Sequence, residues 1–488
     1  MLLGDILVAR GLIQAAHIEK ALEHQKQNGG RLGDNLVAIG ALTAEQLNEV
    51  LNDAPAAPKD VADTGISLGE LMRLVIKGMQ ANNLETPSQL ASLTKLPTSV
   101  INQLLRDAEE RKLIAALGSA DGSTTKEMRY ALSEAGRKLA AESMAQNRYV
   151  GPAPVSLSAF QDRILMQRIT NEIVSQEDIE KSFADLTVPP DFIKRLGPGI
   201  NSGRAMLLYG PAGNGKTTVA EKIGAIFDNV VYIPHCFNVE GQIIKVFDPA
   251  IHKEVARSSG DEVRPKGLRR EEIDRRWVAC HRPVVITGGE LTLEMLDLSF
   301  NALAKFYEAP LHVKALSGTF IIDDFGRQLV NPEDLLNRWI VPLQSRVDYL
   351  KLHTGATFQI PFDELIIFST NLHPKDLMDP AFLRRIPYKL ETMEPSEADF
   401  RDVFTKVAKA QGLEMTDSIM NMVVKELKEV QKVHLAYFQP GFIVDQVVSA
   451  CKYEGIAPAF SEEKVEYAMK NLFVSDSGIR KEPTTANS

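Results

Sequence analysis

The segment Gly210-Pro211-Ala212-Gly213-Asn214-Gly215-Lys216-Thr217 sets glycines, a lysine and a hydroxyl at the spacing GxxxxGK[ST]. Glycines let successive backbone N–H groups turn toward one point, at the N-terminus of a helix that itself favours an anion. Phosphate suits that geometry. Lys216 is expected to reach the β- and γ-phosphates of ATP, and the Thr217 hydroxyl to coordinate Mg²⁺, with Thr218 completing the contact set. Hydrolysis needs two further groups, a metal-holding acid and one that positions water. The apolar run Thr319–Ile322 ends in Asp323-Asp324. Asp323 is expected to hold Mg²⁺, directly or through water, and Asp324 to orient the attacking water.

Elements must bring these residues together. Met206–Tyr209 reads as an apolar strand entering the loop, and 218–226 as the helix leaving it. Leu365–Asn371 reads as another buried strand ending in a polar residue. From Tyr149 to about Leu390, strand-like and helical segments alternate, the pattern of an α/β nucleotide-binding core. Residues 391–474 are almost wholly helical in pattern, and 475–488 form a polar tail expected to be disordered.

Upstream lie two smaller units. Residues 1–53 contain a repeat: LGDILVARG from Leu3 recurs as LGDNLVAIG from Leu32, each followed by apolar residues at helical spacing. Residues 54–66 open with APAAPKD and read as a linker, because two prolines resist both helix and sheet. In 67–148, three helices (Leu68–Ala81, Thr86–Leu93, Thr98–Lys112) precede a hairpin of Leu113–Leu117 and Met128–Leu132, the order of a winged helix.

Composition narrows the functional classes. With 55 basic against 64 acidic residues the net charge is −9, which discourages nucleic-acid binding over the whole surface. The third helix of 67–148 offers Asn102 and Gln103 to base edges, but its acids Asp107, Glu109 and Glu110 offset its bases. Protein docking is the favoured reading there, with DNA as the alternative. The many bases of 257–282, interleaved with acids, read as a solvated or subunit-facing surface or a substrate contact. The opening residues make a poor signal peptide, no 18-residue apolar run suggests membrane insertion, and three scattered cysteines fit a reducing compartment without structural zinc. A cytoplasmic, multi-domain protein is expected.

Residues from about 190 to 472 resemble an AAA+ module. The segments LLYGPAGNGKT, VFDPAIH, VVITGGELTLEMLDL and DPAFLRRIPYKLE are similar to the bacterial group described as ATPases with predicted chaperone activity. A helix at 332–344 and a hairpin within Arg346–Glu364 are similar to the branch that includes unfoldases and MoxR-like chaperones. The resemblance implies a sensor-1 role for Asn371 at the γ-phosphate or the water. It also implies that Arg384 or Arg385 acts as an arginine finger on a neighbouring subunit's ATP, in a homo-oligomeric, hexameric ring working on a client protein. Two departures stand out. Asp324 takes the place of the usual glutamate, and Gly441 or Phe442 that of the sensor-2 arginine.

The amino-terminal repeat resembles the domain carried by assembly ATPases of type II secretion and type IV pili, some of which bind cyclic di-GMP. That resemblance implies a site formed by Leu3, Gly4, Leu7, Gln25, Arg31, Leu32, Gly33 and Leu36. A bare protein-interaction module is the alternative. Motif one opens with Leu2 where arginine is usual, and motif two ends with Ala54 where glutamine is, so weak binding is expected.

Overall fold

The computed structural model describes residues 4, 7–8, 11–28, 32–43, 46–47, 50, 53–119, 127–255 and 272–473. Leu3 and Arg31, the bases Arg257, Arg264, Lys266, Arg269 and Arg270, and the tail 475–488 lie outside the described residues.

Five strands form an all-parallel sheet in the order β16 (Tyr388–Glu391), β4 (Met206–Tyr209), β15 (Leu365–Thr370), β12 (Thr319–Ile322), β9 (Val284–Thr287). Every residue of β12 and β15 is buried. Both faces are covered, so these strands read as continuous apolar runs and not as alternating ones. Strand pleating splits β4 between two cores. Met206 and Leu208 pack with Val219, Ala220 and Ile223 of the helix Lys216–Ala225. Leu207 faces the other way, toward Trp339, Phe320 and Phe368.

A second, mixed sheet interrupts the alternation expected for 149–390. Its order is β10 (Ser299–Asn301), β11 (Phe306–Glu308), β7 (Gln242–Lys245), β6 (Cys236–Val239), β3 (Val155–Ser156). β6 and β7 are joined by Glu240 and Gly241, whose φ values of 49° and 79° suit a tight antiparallel hairpin and leave no room for a crossover helix. The expected helix over 332–344 also breaks, into Pro332–Arg338 and Ile340–Ser345. Pro342 lacks an N–H, and its ring crowds the carbonyl four residues earlier, so the chain turns at Trp339. An antiparallel hairpin of β13 (Val347–Lys351) and β14 (Thr357–Pro361) follows.

Residues 67–148 hold the helices Leu68–Asn82, Pro87–Thr94 and Thr98–Glu110, then the hairpin of β1 (Ile114–Ser119) and β2 (Met128–Leu132), then Glu134–Gln146. Thr86 accepts from Gln89 N in a capping box, with Pro87 in the first turn. This unit does not stand apart. Leu74, Ile101 and Leu104 share one hydrophobic core with Cys236 and Ile243 of the second sheet.

The stretch read as a linker is hydrogen-bonded to residues 272–274. Ala57 N donates to Glu272 O and Asp274 N to Pro55 O, around an Ala56–Ile273 bridge. Arg276 completes the seam from a buried position. Its Nη2 lies 2.9 Å from Asp274 Oδ2, and its Nη1 donates to Thr64 O at 3.0 Å and to Pro154 O at 3.1 Å. Arg282 is buried too, donating to Glu172, Gln167 O and Ser317 O. These two bases therefore serve the fold, contrary to the solvated or partner-facing surface expected for 257–282.

Arg276→Met should destabilise the chain by about 3–5 kcal/mol, because it strands a buried carboxylate and two carbonyls. A denaturant titration measures this. Arg276→Met with Asp274→Leu should recover a substantial part of the loss; a double variant as unstable as the single one would show that the ion pair is not the cause.

Candidate functional site

The strand order decides what meets at the site. β15 lies between β4 and β12, so all three C-terminal ends open on one edge of the sheet. The loop Gly210–Thr217 leaves β4, Asp323 and Asp324 leave β12, and Asn371 leaves β15.

The phosphate loop depends on two close approaches that admit only glycine. A Cβ at Gly210 (φ +144°) would lie 2.4 Å from Thr392 O, and one at Gly213 (φ +78°) 2.3 Å from the Phe438 ring. Lys216 Nζ donates to Gly210 O at 3.0 Å and Pro211 O at 2.8 Å, folding its ammonium over the loop entrance. Burial lowers the Lys216 pKa, while Asp323 and Asp324 oppose that shift. The Asn214 amide is buried with no hydrogen-bond partner on either of its side-chain polar atoms among the described residues. A nucleotide phosphate fits this cradle: it offers acceptors to the ammonium, to loop N–H groups and to that orphaned amide.

Thr217 Oγ1 donates to Asp323 Oδ2 at 2.7 Å, setting two hard oxygen donors side by side. Mg²⁺ fits there, because it takes one or two protein oxygens and fills its octahedron with phosphate oxygens and water. No group of three or more His, Cys, Asp or Glu poised for a metal occurs among the described residues.

Asp324 adopts φ +47°, a left-handed backbone uncommon for a residue with a side chain. Asn371 Nδ2 donates to Asp324 Oδ1 at 3.0 Å. Gln328 supports the turn: its Nε2 donates to Asp323 O at 2.9 Å and its Oε1 accepts from Gly326 N at 2.8 Å. The sequence reading missed Gln328, since its role lies in closing a loop and no spacing signals it.

Arg384 and Arg385 do not reach this edge. They end the turn Pro380–Leu383, whose cap Asp379 accepts from Phe382 N at 2.6 Å. Both line a cavity of about 660 Å³ together with Arg204, Arg346 and Asp363. Arg204 precedes β4 and Asp363 precedes β15, so the cavity opens at the N-terminal edge of the parallel sheet. Gly210 lies six positions beyond Arg204, about 20 Å of extended chain.

The helical region 391–474 touches the loop through Phe438, whose N donates to Gly213 O at 3.1 Å. Phe438 begins the helix Phe438–Glu454. At Gly441, one of the two positions (with Phe442) expected to take the place of the sensor-2 arginine, a Cβ would meet nothing within 4 Å.

Elsewhere the structure removes candidates. Gln103, which the alternative DNA reading offered to base edges, accepts from Val61 N at 3.2 Å and so helps hold 54–66 in place. In the amino-terminal repeats, Leu7 and Leu36 are fully buried at the centre of the module's own core, which turns these two expected ligand walls inward. Gly4 lies beneath Ile18, whose Cδ1 would be 2.9 Å from a Cβ there. Gly33 is buried, whereas Leu32 and Gln25 are partly exposed.

A protein family described as a domain of unknown function (DUF8689) matches residues 396–471, within the helical region. No curated protein sequence matches the chain. Among solved structures it is similar to the Thermotoga maritima RuvB Holliday junction branch migration motor, with 16% identity over 67% of this chain and 74% of that one and a TM-score of 0.30. It is similar to domain III of the Thermotoga maritima replication initiation protein DnaA (12% identity, 61% of this chain, 98% of that one, TM-score 0.34). NtrX from Brucella abortus is a third (12%, 70%, 68%, TM-score 0.37). Among the described residues no helix is long and apolar enough to cross a membrane.

Proposed function

We propose that this chain is an ATP-hydrolysing motor of the AAA+ kind, working as a homo-oligomeric ring on a protein client. One observation carries the reading. The Thr217–Asp323 and Asn371–Asp324 hydrogen bonds join the phosphate loop, the metal acid, the water acid and the sensor at one sheet edge.

Lys216 swings from the carbonyls of Gly210 and Pro211 to the phosphates, and Asn214 gains acceptors for its buried amide. Thr217 and Asp323 would hold Mg²⁺, which would supply positive charge against the phosphates. Asp324, aimed by Asn371, accepts a proton from the attacking water. Phe438 carries the state of the loop into the helical region through its bond to Gly213. A protein client is favoured over duplex DNA because Gln103 is occupied within the fold and the chain is acidic overall.

Asp324→Asn tests this. ATP and Mg²⁺ should still bind, because Asp323 and the loop remain, while phosphate release falls about 10²–10⁴-fold with the loss of the proton acceptor. Unchanged turnover in that variant would remove Asp324 from the mechanism.

A further inference from the structure

Resting on the ATPase reading, we propose that Arg204 is a second residue acting across subunits, contacting the ATP phosphates held by a neighbouring copy of this chain. The cavity at the N-terminal sheet edge is lined by Arg168, Arg204, Arg346, Arg384 and Arg385, five guanidiniums that cannot lose their protons. Asp363 is its single carboxylate, already engaged by Ile169 N at 3.0 Å and close to Arg346. Burial raises the Asp363 pKa, against the opposing pull of Arg346, Arg168 and Arg282. The side chains of Arg204 and Arg384 make no hydrogen bond or ion pair with any described residue. Five cations converging in a concave space with a single carboxylate among them repel one another, unless an anion of several charges enters.

The opposite edge of the same sheet supplies one. Asp323 and Asp324 stand there, with Glu290 beyond β9 and Glu391 closing β16, and bound ATP adds its own charge. The two edges are different surfaces of one molecule with opposite charge. They cannot meet within a subunit, because the strands hold them apart. A head-to-tail contact between copies satisfies both, and repeated by rotation it closes into a ring. A cavity of about 660 Å³ has room for a triphosphate end.

Arg204 has a property that Arg384 lacks. It stands at the entrance of β4, and the phosphate loop stands at the exit. One short buried strand thus joins the neighbour's nucleotide to the subunit's own, so occupancy of one site is felt at the next.

The test uses full-length chain and mixed subunits. Arg204→Ala should lower ATP turnover about ten- to a hundredfold, the weight of one charge-assisted hydrogen bond, and Arg204→Lys should lose less. Mixing Arg204→Ala with Lys216→Ala in equal amounts should raise turnover severalfold above either alone. One variant binds ATP and the other brings the arginine, a rescue that damage to folding cannot produce. The proposal is overturned if Arg204→Ala turns over like wild type, or if its mixture shows no recovery while the corresponding Arg384 mixture recovers. Normal turnover combined with lost retention of a short oligonucleotide would assign the cavity to nucleic acid and overturn it equally. A wild-type chain without ATP turnover would sink the ATPase reading itself, a result separable from the others.

Discussion

Lys216→Ala should weaken ATP binding by at least a hundredfold and abolish turnover. The lysine is the charge that meets the phosphates, and its parked position on Gly210 O and Pro211 O shows a reach confined to the loop entrance. Two charge-assisted hydrogen bonds at about 1.5–3 kcal/mol each amount to two to four decades in affinity. Titration with a fluorescent nucleotide measures binding, and phosphate release measures turnover. Residual hydrolysis at the wild-type rate would end the motor assignment.

Arg384→Ala should cost about 10³–10⁵-fold in kcat with little change in ATP affinity, since a finger meets charge that develops during phosphoryl transfer. Arg385→Ala should cost far less. Arg385 Nη1 is held by Ala381 O at 3.1 Å, whereas Arg384 has no side-chain hydrogen bond or ion pair among the described residues. Mixing Arg384→Ala subunits with Lys216→Ala subunits should restore turnover, because each supplies what the other lacks. Equal losses in the two arginine variants would refute the distinction, and a mixture without recovery would refute action across subunits.

Several local features were legible because their causes are local. A glycine-rich turn between an apolar run and a helical run yields Met206–Tyr209, the loop and the helix Lys216–Ala225. Thr86 followed by proline and, at the third position, glutamine starts a helix by satisfying its own first amides. The pair Asp323-Asp324 at the end of an apolar run was visible for the same reason.

What only tertiary structure decided was which ends of which elements share a place. Nothing in the chain order states that β15 inserts between β4 and β12, yet that insertion sets Asn371 beside Asp324. Arg276 looked like one more surface base, and only its burial among Asp274, Thr64 O and Pro154 O reveals a seam between segments. Phe438 carried no signal at all, because it acts through a contact with Gly213, distant in sequence. Spacing encodes contacts within a turn or a strand. Contacts across a sheet follow from which apolar faces find one another, and that is settled by packing the whole chain.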